Sequence, residues 1–154
     1  MAIREARPDD LDEICALIRE LADYEELTSE VVFDRDAMGR HLFGPAPVAR
    51  ALMAEDGDPP EVAGFALWYP TFSTFTGVGG IWLEDLFVRP ARRGRGLGVA
   101  LLQRLRELSE GRVEWAVLDW NEPAIGFYRS LGAGPVKGWT RFRWERDSGP
   151  QLPG

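Results

Sequence analysis

The chain has 154 residues, 45% of them hydrophobic, with 25 acidic and 18 basic side chains and a net charge of −7. That is enough for one domain with a sizeable core, and no apolar run approaches the roughly 20 residues that span a bilayer. The acidic balance excludes the cationic field of a general nucleic-acid binder, and a single cysteine, Cys15, excludes an intramolecular disulfide.

Ala2 to Ala6 reads as a short strand. Pro8, Asp9 and Asp10 suit the start of a helix, and Leu11, Ile14, Cys15, Ile18, Leu21 and Ala22 then recur at helical spacing. Cys15 on that apolar stripe is a core residue rather than a nucleophile. A second helix is predicted over Asp34 to Phe43, closed by Gly44-Pro45. Val48 to Glu55 and Glu61 to Phe72 read as strands of a hairpin around Asp56-Gly57-Asp58-Pro59-Pro60. Ser73 to Gly80 is a loop, able to cover a site, and Ile81 to Arg89 is a strongly apolar strand. A glycine-rich turn opens a helix from about Gly98 to Glu110. A strand over Arg112 to Asp119, a helix over Glu122 to Leu131 and a closing strand over Trp139 to Arg146 follow. Asp147 to Gly154 is rich in breakers and is expected to be a disordered tail. The fold expected is α/β: one domain over 1–146, with a mixed, mostly antiparallel central sheet and helices on both faces. With no hydrophobic signal segment read after Met1, a cytoplasmic protein is expected.

The segment Val88-Arg89-Pro90-Ala91-Arg92-Arg93-Gly94-Arg95-Gly96-Leu97-Gly98 passes from a buried strand through glycines into an amphipathic helix. Glycine permits positive φ and close approach of the backbone to a ligand. Unpaired amides at the helix start, its dipole and the arginines together make an anion site suited to a pyrophosphate. A Walker A loop needs Gly-Lys-Ser or Gly-Lys-Thr, but Val99 and Ala100 follow Gly98. A dinucleotide fingerprint needs glycine where Val99 stands. Arg-Gly-Arg-Gly as a nucleic-acid segment would need interleaved aromatics, which are missing.

The spacing Arg93-x-x-Gly96-x-Gly98 resembles the acetyl-CoA signature of the GNAT superfamily of N-acetyltransferases. Trp82-Leu83-Glu84-Asp85-Leu86-Phe87-Val88, Leu118 to Tyr128 and Glu20 to Glu25 resemble its diamine (spermidine/spermine) and thialysine branch. The resemblance implies that Arg93, Gly94, Arg95, Gly96, Leu97 and Gly98 hold the acetyl-CoA phosphates. It also implies that backbone from Leu86, Phe87 and Val88 meets the pantetheine arm and polarises the thioester carbonyl, and that Asn121 hydrogen-bonds the arm.

Acetyl transfer to an amine poses two proton problems. An alkylammonium has a pKa of about 10.4, so near neutrality a proton acceptor must supply the nucleophile, and the leaving thiolate gains from a proton donor. Glu84 is the candidate acceptor, which the resemblance supports, acting through water. It lies beside Asp85 in an apolar strand, where alternation would send one carboxylate to each face, unless the adjacent acids mark a bulge. Asp85 is taken as mainly structural. Tyr128 is the candidate donor, two turns into a helix that Asn121 would cap. Tyr24 and Glu25 match the branch's amine pocket, an aromatic face and a carboxylate for a cation, and Trp120 is placed beside it.

Thr74 and Thr76 stand where the branch carries an acidic residue and a tryptophan, which favours a shorter amine over a long polyamine. His41 is the sole histidine, so zinc sites lack ligands and no metal is expected. The function expected is direct acetyl transfer from acetyl-CoA to a primary amine of a small molecule, by a homodimer that binds neither nucleic acid nor membrane. A peptide or protein N-acetyltransferase and a non-catalytic acetyl-CoA-binding module are the rival readings.

Overall fold

The computed structural model describes residues 1–147 and 149. The chain divides into two compact units, the first Met1–Ala116 and the second beginning at Val117.

The first unit runs β1 (Ala2–Glu5), a 3₁₀ turn at Pro8–Asp10, α1 (Leu11–Tyr24), α2 (Arg35–Phe43), β2 (Arg50–Asp56), β3 (Glu61–Ser73), β4 (Val78–Val88), α3 (Leu97–Leu108) and β5 (Val113–Glu114). The strands lie in the order β1-β2-β3-β4-β5, antiparallel throughout except for the parallel pair β4–β5. This is the mixed, mostly antiparallel sheet expected. Paired residues share a face, so Ala51, Met53, Phe65, Leu67 and Phe87 line one side. There they form a single core with Leu11, Ile14, Cys15 and Leu17 of α1 and Leu42 of α2. The opposite side presents Leu52 and Ala66, both buried. Helix α3 lies against β1 to β4 and buries Leu97, Leu101, Leu102 and Leu105. Helices thus cover both faces.

Arg89, just past β4, ties the layers together ahead of the glycine turn. Its guanidinium meets Glu13 and Glu20 of α1, each at 2.7 Å, and donates to the Val62 carbonyl at 2.9 Å. This arginine is committed to the fold.

Three expectations need correction. The segment 73–80 is not a covering loop: Ser73 pairs with Val78 and Phe72 with Gly79, leaving only a tight turn at its tip. The strand predicted over 112–119 shrinks to Val113–Glu114. No strand forms over Trp139–Arg146; Trp139 and Phe142 are 81% and 91% exposed. A strand needs a neighbour to satisfy its backbone, and alternating side chains supply none. The expected tail falls largely on residues outside those described.

The second unit contains α4 (Glu122–Ser130), with buried Asn121 as its N-cap: Asn121 Oδ1 accepts from the Ala124 amide at 3.3 Å, and Pro123 sits in the first turn. No helix among the described residues is long and apolar enough to cross a membrane.

Leu101 is fully buried at the centre of the α3 interface. Leu101→Ala should lower unfolding free energy in denaturant titration by about 2–5 kcal/mol, the range for a core leucine. A loss under about 1 kcal/mol would show that α3 is not part of the core.

Candidate active site

The site begins with one extra residue in β4. Leu67 pairs with Asp85 and Trp68 with Leu83, leaving Glu84 opposite nothing: a β-bulge. The bulge resets the alternation. Asp85 shares the α1 side of the sheet with Leu67 and Phe87, and Glu84 joins it there, since its carboxylate accepts from the indole Nε1 of Trp82 on that side at 2.9 Å. The expectation of one carboxylate per face therefore fails, and the adjacent acids mark a bulge instead.

Across from them, α1 ends in a Schellman motif that delivers Tyr24 and Glu25. The Leu27 amide donates to the Ala22 carbonyl at 2.8 Å and the Glu26 amide to Asp23 at 3.2 Å. Glu26 takes the left-handed conformation, φ 60°, where glycine is usual. Strain held in a turn next to two polar side chains is common at functional sites. Thr28 Oγ1 donates to Asp23 at 2.6 Å and closes the turn.

Glu25, Glu84 and Asp85 thus gather on one side of the sheet. Burial pushes the Asp85 carboxyl up to about 7, helped by the negative charges of Glu84 and Glu25. Burial also raises Glu25 above the ordinary carboxylate range. Asp85, taken from the sequence as structural, is strongly perturbed, because the bulge turns it under the α1 layer. The adjacent Glu-Asp pair in an apolar strand was the signal available.

The glycine turn lies at the end of the same strand. Gly94 and Gly96 have φ of +75° and +82°, and Gly96 is the N-cap of α3. A Cβ at either would meet no heavy atom within 4 Å. The space beside these glycines is open, and the first amides of α3 face a dipole-favoured anion position. These residues fit a pyrophosphate. Arg95, expected as a phosphate donor, is engaged with the β2–β3 hairpin, bonding Asp56 at 2.8 Å, and the nearby Arg92 bonds Glu61 at 2.9 Å. Arg93 donates from Nε to the Val88 carbonyl at 2.9 Å, its guanidinium 4.9 Å over the Tyr24 ring and 5.7 Å over Phe87. Leu97 is buried and Gly98 lies in the first turn of α3.

Between the turn and the carboxylates, β4 offers an open edge. β5 pairs with β4 only at Ile81 and Trp82, so over Leu86, Phe87 and Val88 that edge carries no strand among the described residues. An extended amide-bearing arm can add there as a strand would. In the second unit, Trp120 is 51% exposed, and Tyr128 lies half-buried on α4 with its ring 5.3 Å from that of Phe127. No group of three or more side chains suited to a metal ion occurs among the described residues.

The chain matches the Acetyltransferase (GNAT) family over residues 11–133. The chain belongs to this family. It is 39% identical to the thialysine N-epsilon-acetyltransferase of Bos taurus, covering 99% of this chain and 96% of the relative. It is 32% identical to the human spermidine/spermine N(1)-acetyltransferase-like protein 1, over 94% of this chain and 22% of that longer protein. The fold matches an integron cassette protein from V. cholerae with a TM-score of 0.75 and 24% identity, covering 95% and 93% of the two chains. This GNAT protein is an N-acetyltransferase that uses acetyl-CoA.

Two outcomes test the site. Gly96→Glu adds a side chain at positive φ and a negative charge beside the phosphate position, so calorimetry should show at least a 100-fold loss of coenzyme A affinity with the fold intact by circular dichroism. Asp85 binds a proton in the folded protein up to about pH 7 but in the unfolded chain only to about 3.9, so it lowers stability progressively between those values. Asp85→Asn should therefore gain melting temperature relative to the parent as pH rises from 4 to 7, then hold a constant difference. A pH-independent difference would refute the shift.

Proposed function

We propose that the enzyme acetylates the primary amine of a small cationic molecule, and that the bulge in β4 carries this specificity. The supporting observation is that Glu84 and Asp85 share the α1 side of the sheet, where Asp85 feels the charge of Glu25, the residue after Tyr24; carboxylates and an aromatic ring suit an ammonium ion. Similarity to thialysine acetyltransferases over nearly the whole of both chains supports an amino-acid-like amine of that class. The exposed turn carrying Thr74 and Thr76 offers no carboxylate for the far end of a long polyamine.

Acetyl-CoA, held by the turn Arg93–Gly98 and by the edge of Leu86, Phe87 and Val88, would supply an activated acetyl group to the amine. Each protein group then has one task. Glu84, exposed in the bulge and oriented by Trp82 Nε1, takes the ammonium proton through water. Asp85, its carboxyl pushed up to about 7 by burial, limits the negative charge beside the amine. A backbone N–H on the open β4 edge polarises the carbonyl. Tyr128 donates a proton to the departing thiolate, a role supported by the Asn121-Glu122-Pro123 context that starts its helix. The family resemblance assigns Asn121 to the pantetheine arm and Trp120 to the amine.

The family match crosses from the first unit into the second, which supports a single functional domain over 1–146. Exposure of Trp139 and Phe142 supports a homodimer in which this segment finds its strand partner. A cytoplasmic location accords with the free Cys15.

Acetylation of thialysine, ornithine, diamines and a basic peptide, followed by coenzyme A release, tests the substrate class: turnover of the small amines and none of the peptide is expected. Tyr128→Phe should lower kcat about 100-fold or more with coenzyme A affinity nearly unchanged. Glu84→Gln should lose most activity at low pH, where neutral amine is scarcest. A uniform loss across pH would reassign Glu84 to structure.

A further inference from the structure

Arg93 belongs to both halves of the site. It opens the turn whose amides face the phosphate position, and Gly94 and Gly96, both at positive φ, follow it. Yet its guanidinium does not point along that turn. It packs over the Tyr24 ring at 4.9 Å and the Phe87 ring at 5.7 Å, with Nε on the Val88 carbonyl. Phe87 lies two residues beyond Asp85 on the same side of the sheet, and Glu25 is the residue after Tyr24. A planar cation therefore covers the aromatic surface, beside the carboxylates, that a substrate ammonium would use.

We infer that Arg93 couples the two substrates: its guanidinium occupies the Tyr24 face until the phosphates of coenzyme A draw it away, so that cofactor binding exposes the ammonium site. This rests on the amine-acetylating function proposed above. The energetics favour the exchange. An exposed cation–π contact is weak, whereas a guanidinium–phosphate pair is charge-assisted and bidentate. Only Nε of the guanidinium is committed to the backbone, so its terminal N–H groups are available to an incoming anion. The two glycines let the turn adjust without moving α3, whose Leu97 is anchored in the core. Because coenzyme A then binds a state that the amine also prefers, each must tighten the other by the same factor.

The test is calorimetry with coenzyme A and thialysine as probes. In the parent protein, saturating coenzyme A should tighten thialysine about 2- to 5-fold, the equilibrium factor carried by one exposed cation–π contact. Arg93→Gln should bind thialysine in the absence of coenzyme A as tightly as the parent does in its presence, with no further gain on adding coenzyme A. Undiminished coupling in Arg93→Gln overturns the inference, as does a weaker affinity in both states, which would make the guanidinium a wall of the pocket. A readout independent of the amine is the coenzyme A affinity of Tyr24→Leu. Release of Arg93 should tighten it by a similar factor, and an unchanged or weaker value overturns the coupling. Coenzyme A binding without acetylation of any amine would instead refute the proposed function, and the Tyr24→Leu comparison would still decide the role of Arg93.

Discussion

An extra residue in a strand that is paired on one edge and packed under helices cannot be absorbed by sliding, because a one-residue slip would turn every later side chain to the wrong face. In β4 the register stays fixed on both sides of Glu84, by Phe65–Phe87 in the core and by the pairing of Tyr69 with Trp82. The strain is taken up locally as a bulge. That constraint brings two carboxylates onto one side of the sheet, beneath the C-terminal end of α1, and sets the order of everything near them. Trp82 becomes the hydrogen-bond partner of Glu84, Asp85 loses solvent, and Phe87 returns to the core.

The same strand serves two chemistries at its two edges. One edge is paired with β3 on both sides of the Glu84 bulge and transmits the rigidity of the core. The other is paired with β5 at Ile81 and Trp82 and, among the described residues, is open beyond them, leading to the glycine turn. A substrate arm laid along this edge would run from the amides of α3 to the bulge, with the anion-binding end and the acid cluster at opposite ends. Charge follows the layout. Backbone amides and a helix dipole lie at one end and carboxylates at the other, the sorting by sign that the proposed function requires. The arginines near the turn are mostly spoken for: Arg89 by α1, and Arg92 and Arg95 by the β2–β3 hairpin. Arg93 alone reaches toward the aromatic wall.

Much of this was legible in the residues. Helical spacing gave α1 and α3, the Asp56–Pro60 breakers gave the β2–β3 hairpin, and the Arg93–Gly98 spacing pointed to the glycine turn and the family. What was missed has a common physical origin in non-local pairing. Whether Glu84 and Asp85 diverge or converge depends on the strand across from them, which local periodicity does not contain. Whether 139–146 forms a strand depends on an available edge, and Trp139 and Phe142 lie exposed without one. The Ser73–Gly80 segment is rich in glycine and threonine and reads as a loop, but pairing of β3 with β4 continues to Ser73 and Val78 and leaves only the tight turn at 74–77. The stacking of Arg93 on Tyr24 joins residues far apart in the chain, and no motif encodes it.

The account stands on the claim that the bulge turns Asp85 inward beside Glu84. The direct measurement is a ¹³C NMR titration of the Asp85 carboxyl in the parent protein and in Glu84→Gln. A midpoint near 7 that moves down when the neighbouring charge is removed is the result required. A midpoint near 4, unmoved by that substitution, would mean that Asp85 faces water and that the acid cluster does not form.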